Sequence, residues 1–150
     1  MEAGQAGESA AVHVGNGSRE SAEALLMDKA VFDREVALAQ VDGDLDLLSE
    51  LATIFMEEAS ELLIDMRRSI IGRDSKTLER LAHTMKGSAR TLGAGAVAEV
   101  AFQLELHTRE GSFSGAAAAC DSLQGELTRL DGALAPVKRL APSVDDAAQK

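Results

Sequence analysis

The chain has 150 residues, 45% of them hydrophobic, and 15 Lys and Arg stand against 25 Asp and Glu for a formal net charge of −10. That length has room for one domain and some tail. The acidic balance, with neither Trp nor Tyr to stack on bases, argues against a nucleic-acid binder, and the single cysteine excludes an intrachain disulfide and a cysteine-rich metal site.

Residues 1–28 are rich in Gly, Ala, Ser and Glu without sustained periodicity and read as a disordered tether, with room for a local helix around Ala22–Met27. His13 lies there with no partner nearby in sequence. From about Ala30 the pattern becomes helical. A short helix through Val36 and Val41 stops near Asp42-Gly43, with the glycine as its punctuation. A long helix is expected from about Asp44 to Ile71, with the stripe Leu48, Leu51, Phe55, Ala59, Leu62 and Met66, and Gly72 ends it.

The next helix, capped by Asp74 or Ser75, carries Leu78, Leu81, Ala82, Met85, Ala89 and Leu92 at steps of three and four. At about 100° per residue, His83 falls roughly 140° from the centre of that stripe and faces water. Lys76, Lys86, Gly87 and Arg90 share its polar direction. An unperturbed imidazole has a pKa of about 6.5, so a water-facing ring keeps a free lone pair near pH 7. Lys86, one turn on, disfavours the imidazolium and attracts a phosphoryl group carried by the ring. Gly87 costs up to about 1 kcal/mol of helix stability and offers a bare backbone that a partner can approach. These features suit a nucleophile better than a core histidine.

Gly93-Ala94-Gly95 breaks the chain before a fourth helix with Val97, Val100, Ala101 and Leu104, closed by Gly111; His107 sits at the edge of that stripe. The G-x-G here follows a helix rather than a strand, so it is no dinucleotide loop. A last helix is expected from about Ser114 to Ala135, with Ala116, Cys120, Leu123, Leu127, Leu130 and Leu134 in its stripe. Pro136 is expected to kink or end it, and Pro142 to stop it. No segment alternates as a strand does. The predicted fold is all-α, an antiparallel up-down four-helix bundle with a short additional N-terminal helix, over residues 29–141, with a tail at 142–150. The heptad-like spacing also permits a dimeric coiled coil, but short glycine-marked turns favour packing within one chain, so a monomer is expected.

The segment Ala82-His83-Thr84-Met85-Lys86-Gly87-Ser88 with Gly93 resembles the histidine-containing phosphotransfer (HPt) domains of two-component phosphorelays, whose signature is close to A-H-x-L-K-G-S-x-x-x-x-G. Methionine for the usual leucine at Met85 nearly conserves volume. Phe32-Asp33, Gly43-Asp44 and Phe55 upstream, and Leu104-Glu105 with Arg109 downstream, extend the resemblance over about 110 residues. It implies that His83 takes a phosphoryl group from a receiver-domain aspartyl phosphate and passes it to another receiver. Receivers of response regulators and of hybrid histidine kinases are the partners it implies. Lys86 is then expected to supply phosphate electrostatics and Gly87 partner access, with Arg90, Glu105 and Arg109 one layer out.

Glu105 and Arg109 also read simply as a surface ion pair at i, i+4. Glu79 and His83 at the same spacing form only a fragment of a bundle metal site, and their direction is outward. No metal or cofactor of its own is expected, because the Mg2+ for phosphoryl transfer belongs to the receiver. The chain also lacks a nucleotide-binding loop, so no ATP-dependent kinase activity is expected. No apolar run approaches the eighteen or so residues of a membrane span and no export leader opens the chain, so a cytoplasmic location is expected. The competing reading is a helical docking module whose histidine is never phosphorylated.

Overall fold

Aspartates start three successive helices. Asp33 caps α1 (Arg34–Gln40), Asp44 caps α2 (Leu45–Ile71) and Asp74 caps α3 (Ser75–Leu92). Each side chain accepts a hydrogen bond from the backbone N–H three residues on, which otherwise has no partner in the first turn. Helices α4 (Gly95–Arg109) and α5 (Phe113–Leu140) follow in the described residues. The structure is a computed structural model that describes residues 29–140. The expected tether with His13, the local helix near Ala22, and the tail with Pro142 lie outside the described residues.

Among the described residues there is no strand. Turns of two or three residues join α2 to α3, α3 to α4 and α4 to α5, and links this short make consecutive helices antiparallel. Helix α2 packs on α3 and α5, and α4 packs on the same two, so the four close around one core; α1 lies across α3 and α2. The six stripe residues expected on α3 are all buried, as are the six expected on α5.

Two sequence expectations need correction. On α2 the buried line is Leu48, Ala52, Phe55, Ala59, Leu63 and Met66, whereas Leu51 is 38% exposed and Leu62 only partly buried. Steps of three and four fit either line, and the neighbours chose the one whose two alanines let the helices approach. Helix α5 does not end at Pro136 but runs on to Leu140. The carbonyl freed by the missing proline N–H belongs to Gly132, an exposed residue with no side chain to crowd the ring, and Val137 beyond it is buried in the core. Cys120 is fully buried, and burial pushes its thiol pKa up.

Gly93 holds the entry to α1 in place. It ends α3 in the left-handed region at φ +81°, and its carbonyl accepts the Asp33 N–H at 2.8 Å. A Cβ at this position would stand 2.6 Å from the Asp33 carbonyl oxygen. Backbone on both sides leaves little room to give. Gly93→Ala is therefore expected to cost about 3 kcal/mol, from the left-handed conformation and the forced separation of the α1 entry together. Urea unfolding checks it; a midpoint equal to wild type would show that the α1 entry is not anchored here.

Candidate functional site

The site lies where α3 crosses α4. His83 is on the solvent side of α3, its side chain 69% exposed, and its Nδ1 lies 3.1 Å from Glu105 Oε2. Glu105 is the surprise. Its side chain is 2% exposed and three nitrogen-bearing groups converge on it. Lys86 Nζ lies 2.7 Å from Oε1, while Arg109 Nη2 donates to Oε2 at 3.1 Å. The Arg109 Nε also donates to Glu79 at 2.9 Å, so the guanidinium bridges α3 and α4.

Burial by itself raises the Glu105 pKa; hydrogen bonding from Lys86 and His83 and the charges of Lys86 and Arg109 outweigh it, and the carboxyl sits below its usual value. The sign of the stability effect follows. A depressed folded pKa adds stability that is complete above the unfolded value of about 4.3 and is lost as pH falls through the lower folded value. Asp74, held low by its hydrogen bonds from Thr77, acts in the same direction. Glu105→Gln is expected to flatten part of the acid limb in urea unfolding measured between about pH 5 and 2, leaving the Asp74 share. An unchanged acid limb would show that the carboxyl is not depressed in solution.

The sequence-derived residues divide accordingly. His83 and Gly87 are exposed, and a Cβ added at Gly87 would meet nothing within 4 Å. Lys86 is not the free surface cation the helix wheel suggests. Its side chain is only 13% exposed, reaching across to Glu105 with its ammonium 5.3 Å from the Phe102 ring centre. Reading Glu105 and Arg109 as a surface ion pair is likewise corrected, because α3 covers the carboxylate. Arg90 is exposed, two turns beyond His83, and pairs with no carboxylate among the described residues. His107 packs over Gly115, where a Cβ would meet its Nδ1 at 2.4 Å, and it takes no part in the site.

An open depression of about 420 Å3 beside His83 is lined by Lys76, Glu79, Arg80, Glu105 and Arg109. Arg80 sits at i−3 on the same polar face, a spacing that by itself does not distinguish it from the other exposed cations of α3. Among the described residues no group of three His, Cys, Asp or Glu is disposed to hold a metal ion. Chemically the arrangement offers one exposed imidazole with an oriented ring, cations around it, and open approach.

Residues 50–133 match the model of the Hpt domain family, and His83, Lys86, Gly87, Glu105 and Arg109 all fall inside that span. This chain belongs to the Hpt domain family. Solved structures agree in fold. Histidine-containing phosphotransfer protein B from Pseudomonas aeruginosa is similar at TM-score 0.67 and 22% identity, over 73% of this chain and 96% of that one. A putative histidine-containing phosphotransfer protein from rice gives 0.68 and 19%, over 85% and 95%. One from Medicago truncatula gives 0.68 and 24%, over 81% and 86%. Among curated proteins no sequence matches. As an Hpt domain, the chain works in histidine phosphotransfer within a two-component phosphorelay and interacts with response-regulator receiver domains. None of the described helices is long and apolar enough to cross a membrane.

Proposed function

We propose that His83 is the phosphoacceptor of this Hpt domain and Nε2 its reactive atom. The observation that carries the reading is the 3.1 Å contact from Nδ1 to Glu105 Oε2. A carboxylate held below its ordinary pKa only accepts hydrogen bonds, so Nδ1 carries the ring proton and the lone pair is left on Nε2. In the transfer, Nε2 attacks phosphorus in line, the P–O bond to the receiver's aspartate breaks, and the N–P bond forms. The ring then bears positive charge, which Glu105 stabilises through the same Nδ1–H, much as a buried aspartate steadies the histidine of a catalytic triad. Passing the group to a second receiver, of a response regulator or a hybrid kinase, reverses these steps.

Lys86 acts here mainly through Glu105, keeping that carboxylate buried and ionised. Gly87 supplies access, and Arg109, shared between Glu79 and Glu105, orients the Glu105 carboxylate. Beside Gly87, a small groove of about 220 Å3 lined by residues such as Leu51, Ile54, Ser88 and Thr91 supports approach of a receiver over this face. The Mg2+ the reaction uses belongs to the receiver, and the domain works as a cytoplasmic monomer without a cofactor of its own. The test is transfer from a phosphorylated receiver to 15N-histidine-labelled protein, followed by 31P and 15N NMR. Phosphorus on Nε2 of His83 is expected; phosphorus on Nδ1, or no acid-labile label, overturns the assignment.

A further inference from the structure

The two cations nearest Glu105 are already neutralised. Lys86 is committed to Glu105, and Arg109 divides its guanidinium between Glu79 and Glu105. Two positive and two negative side chains cancel, so this cluster offers no net charge to an incoming anion. A phosphoryl group brings on the order of two negative charges near neutral pH and is stabilised by donors aimed where that charge lies. The remaining cations of the depression at His83 are Lys76 and Arg80, whereas Lys86 does not line it. Both are exposed and neither forms a close ion pair among the described residues, although the Arg80 charge is felt by the Asp74 carboxylate at the start of α3. Arg80 is one turn before His83, with Cβ atoms about 5–6 Å apart, and a helical side chain such as His83 leans back over that turn. With Nδ1 engaged by Glu105, Nε2 is the ring nitrogen left to face the depression.

We propose that Arg80, assisted by Lys76, is the phosphoryl-binding residue of this domain. Its guanidinium engages the phosphoryl oxygens as the group arrives on Nε2 and while it resides there. Two oxygens of one group match the planar fork of arginine, which an ammonium does not reproduce. The interaction is electrostatic and adds no bond-making step to the transfer. It rests on His83 being the phosphoacceptor.

The test uses the full chain and phosphoramidate, a small donor that removes receiver docking from the measurement. Its P–N bond breaks, ammonia leaves, and the N–P bond to His83 forms. Phosphohistidine is followed by 31P NMR in wild type, Arg80→Gln, Arg80→Lys and Lys76→Gln. Arg80→Gln is expected to slow formation roughly tenfold at low ionic strength and Lys76→Gln roughly twofold, with the deficits shrinking in 0.5 M salt. Arg80→Lys should recover part of the rate, and the melting temperature of all three should stay at the wild-type value. Wild-type rates in Arg80→Gln with label on His83 would overturn this proposal alone. A salt-independent deficit, or none of it recovered by lysine, would overturn it as well. Label outside His83 would overturn the phosphoacceptor assignment and this proposal with it.

Discussion

His83→Gln is expected to abolish phosphorylation by phosphorylated receiver domains while leaving the bundle intact. Glutamine has no lone pair that attacks phosphorus, and His107 cannot substitute, since it packs over Gly115 on another part of α4, away from the depression. The loss should therefore exceed about 100-fold, the scale on which removal of an activated nucleophile is felt. Stability should move by less than about 0.5 kcal/mol, because the removed ring is largely exposed and Glu105 keeps Lys86 and Arg109. Glutamine can also donate to Glu105 in place of Nδ1. Acid-labile label on this variant, at a rate near wild type, would move the site elsewhere.

Gly87→Gln is expected to make the domain more stable and less active. Glycine inside a helix costs up to about 1 kcal/mol relative to better helix formers. Nothing in the fold needs it here: a Cβ at Gly87 meets no atom within 4 Å and its φ is not positive. The melting temperature should rise by about 4 °C. Transfer from a receiver should fall by more than about tenfold, because a longer side chain beside His83 keeps the two backbones apart and a displacement of about 1 Å already damages an in-line reaction. Transfer from phosphoramidate, which needs no docking, should be nearly unaffected. Receiver transfer at the wild-type rate would show that partners approach from another side. Packing inside the bundle could not then account for the glycine.

The two replacements differ in how visible their logic is from sequence. The direction of His83 follows from six apolar positions within eighteen residues, since the angle around a helix axis depends only on spacing along the chain. The openness around Gly87 is harder to see, because an exposed glycine and one under close approach look alike in a sequence. Gly93 makes the contrast plain. Its end-of-helix position was legible, but the Asp33 carbonyl that would stand 2.6 Å from its Cβ comes from sixty residues away in the chain. On α2, the choice between Leu51 and Ala52 was equally out of local reach.

Local features were legible from the chain alone: all helices, the helix starts near Asp44 and Asp74, the glycine boundaries, the buried faces of α3 and α5, and a water-facing His83. Periodicity and capping act within a few residues, so each is written wherever the chain is read. A trace of the hidden carboxylate was present too, since Ala98, Ala101, Glu105 and Thr108 step by three, four and three along one face of α4. That this face lies against α3 is set by packing between segments far apart in the chain. That single packing choice buried Glu105, drew Lys86 inward, gave Arg109 two carboxylates and oriented the imidazole through Nδ1. The reason is physical: a carboxylate beside an apolar stripe is inexpensive in water and costly in a core, and its meaning depends on which cations a distant helix brings to it.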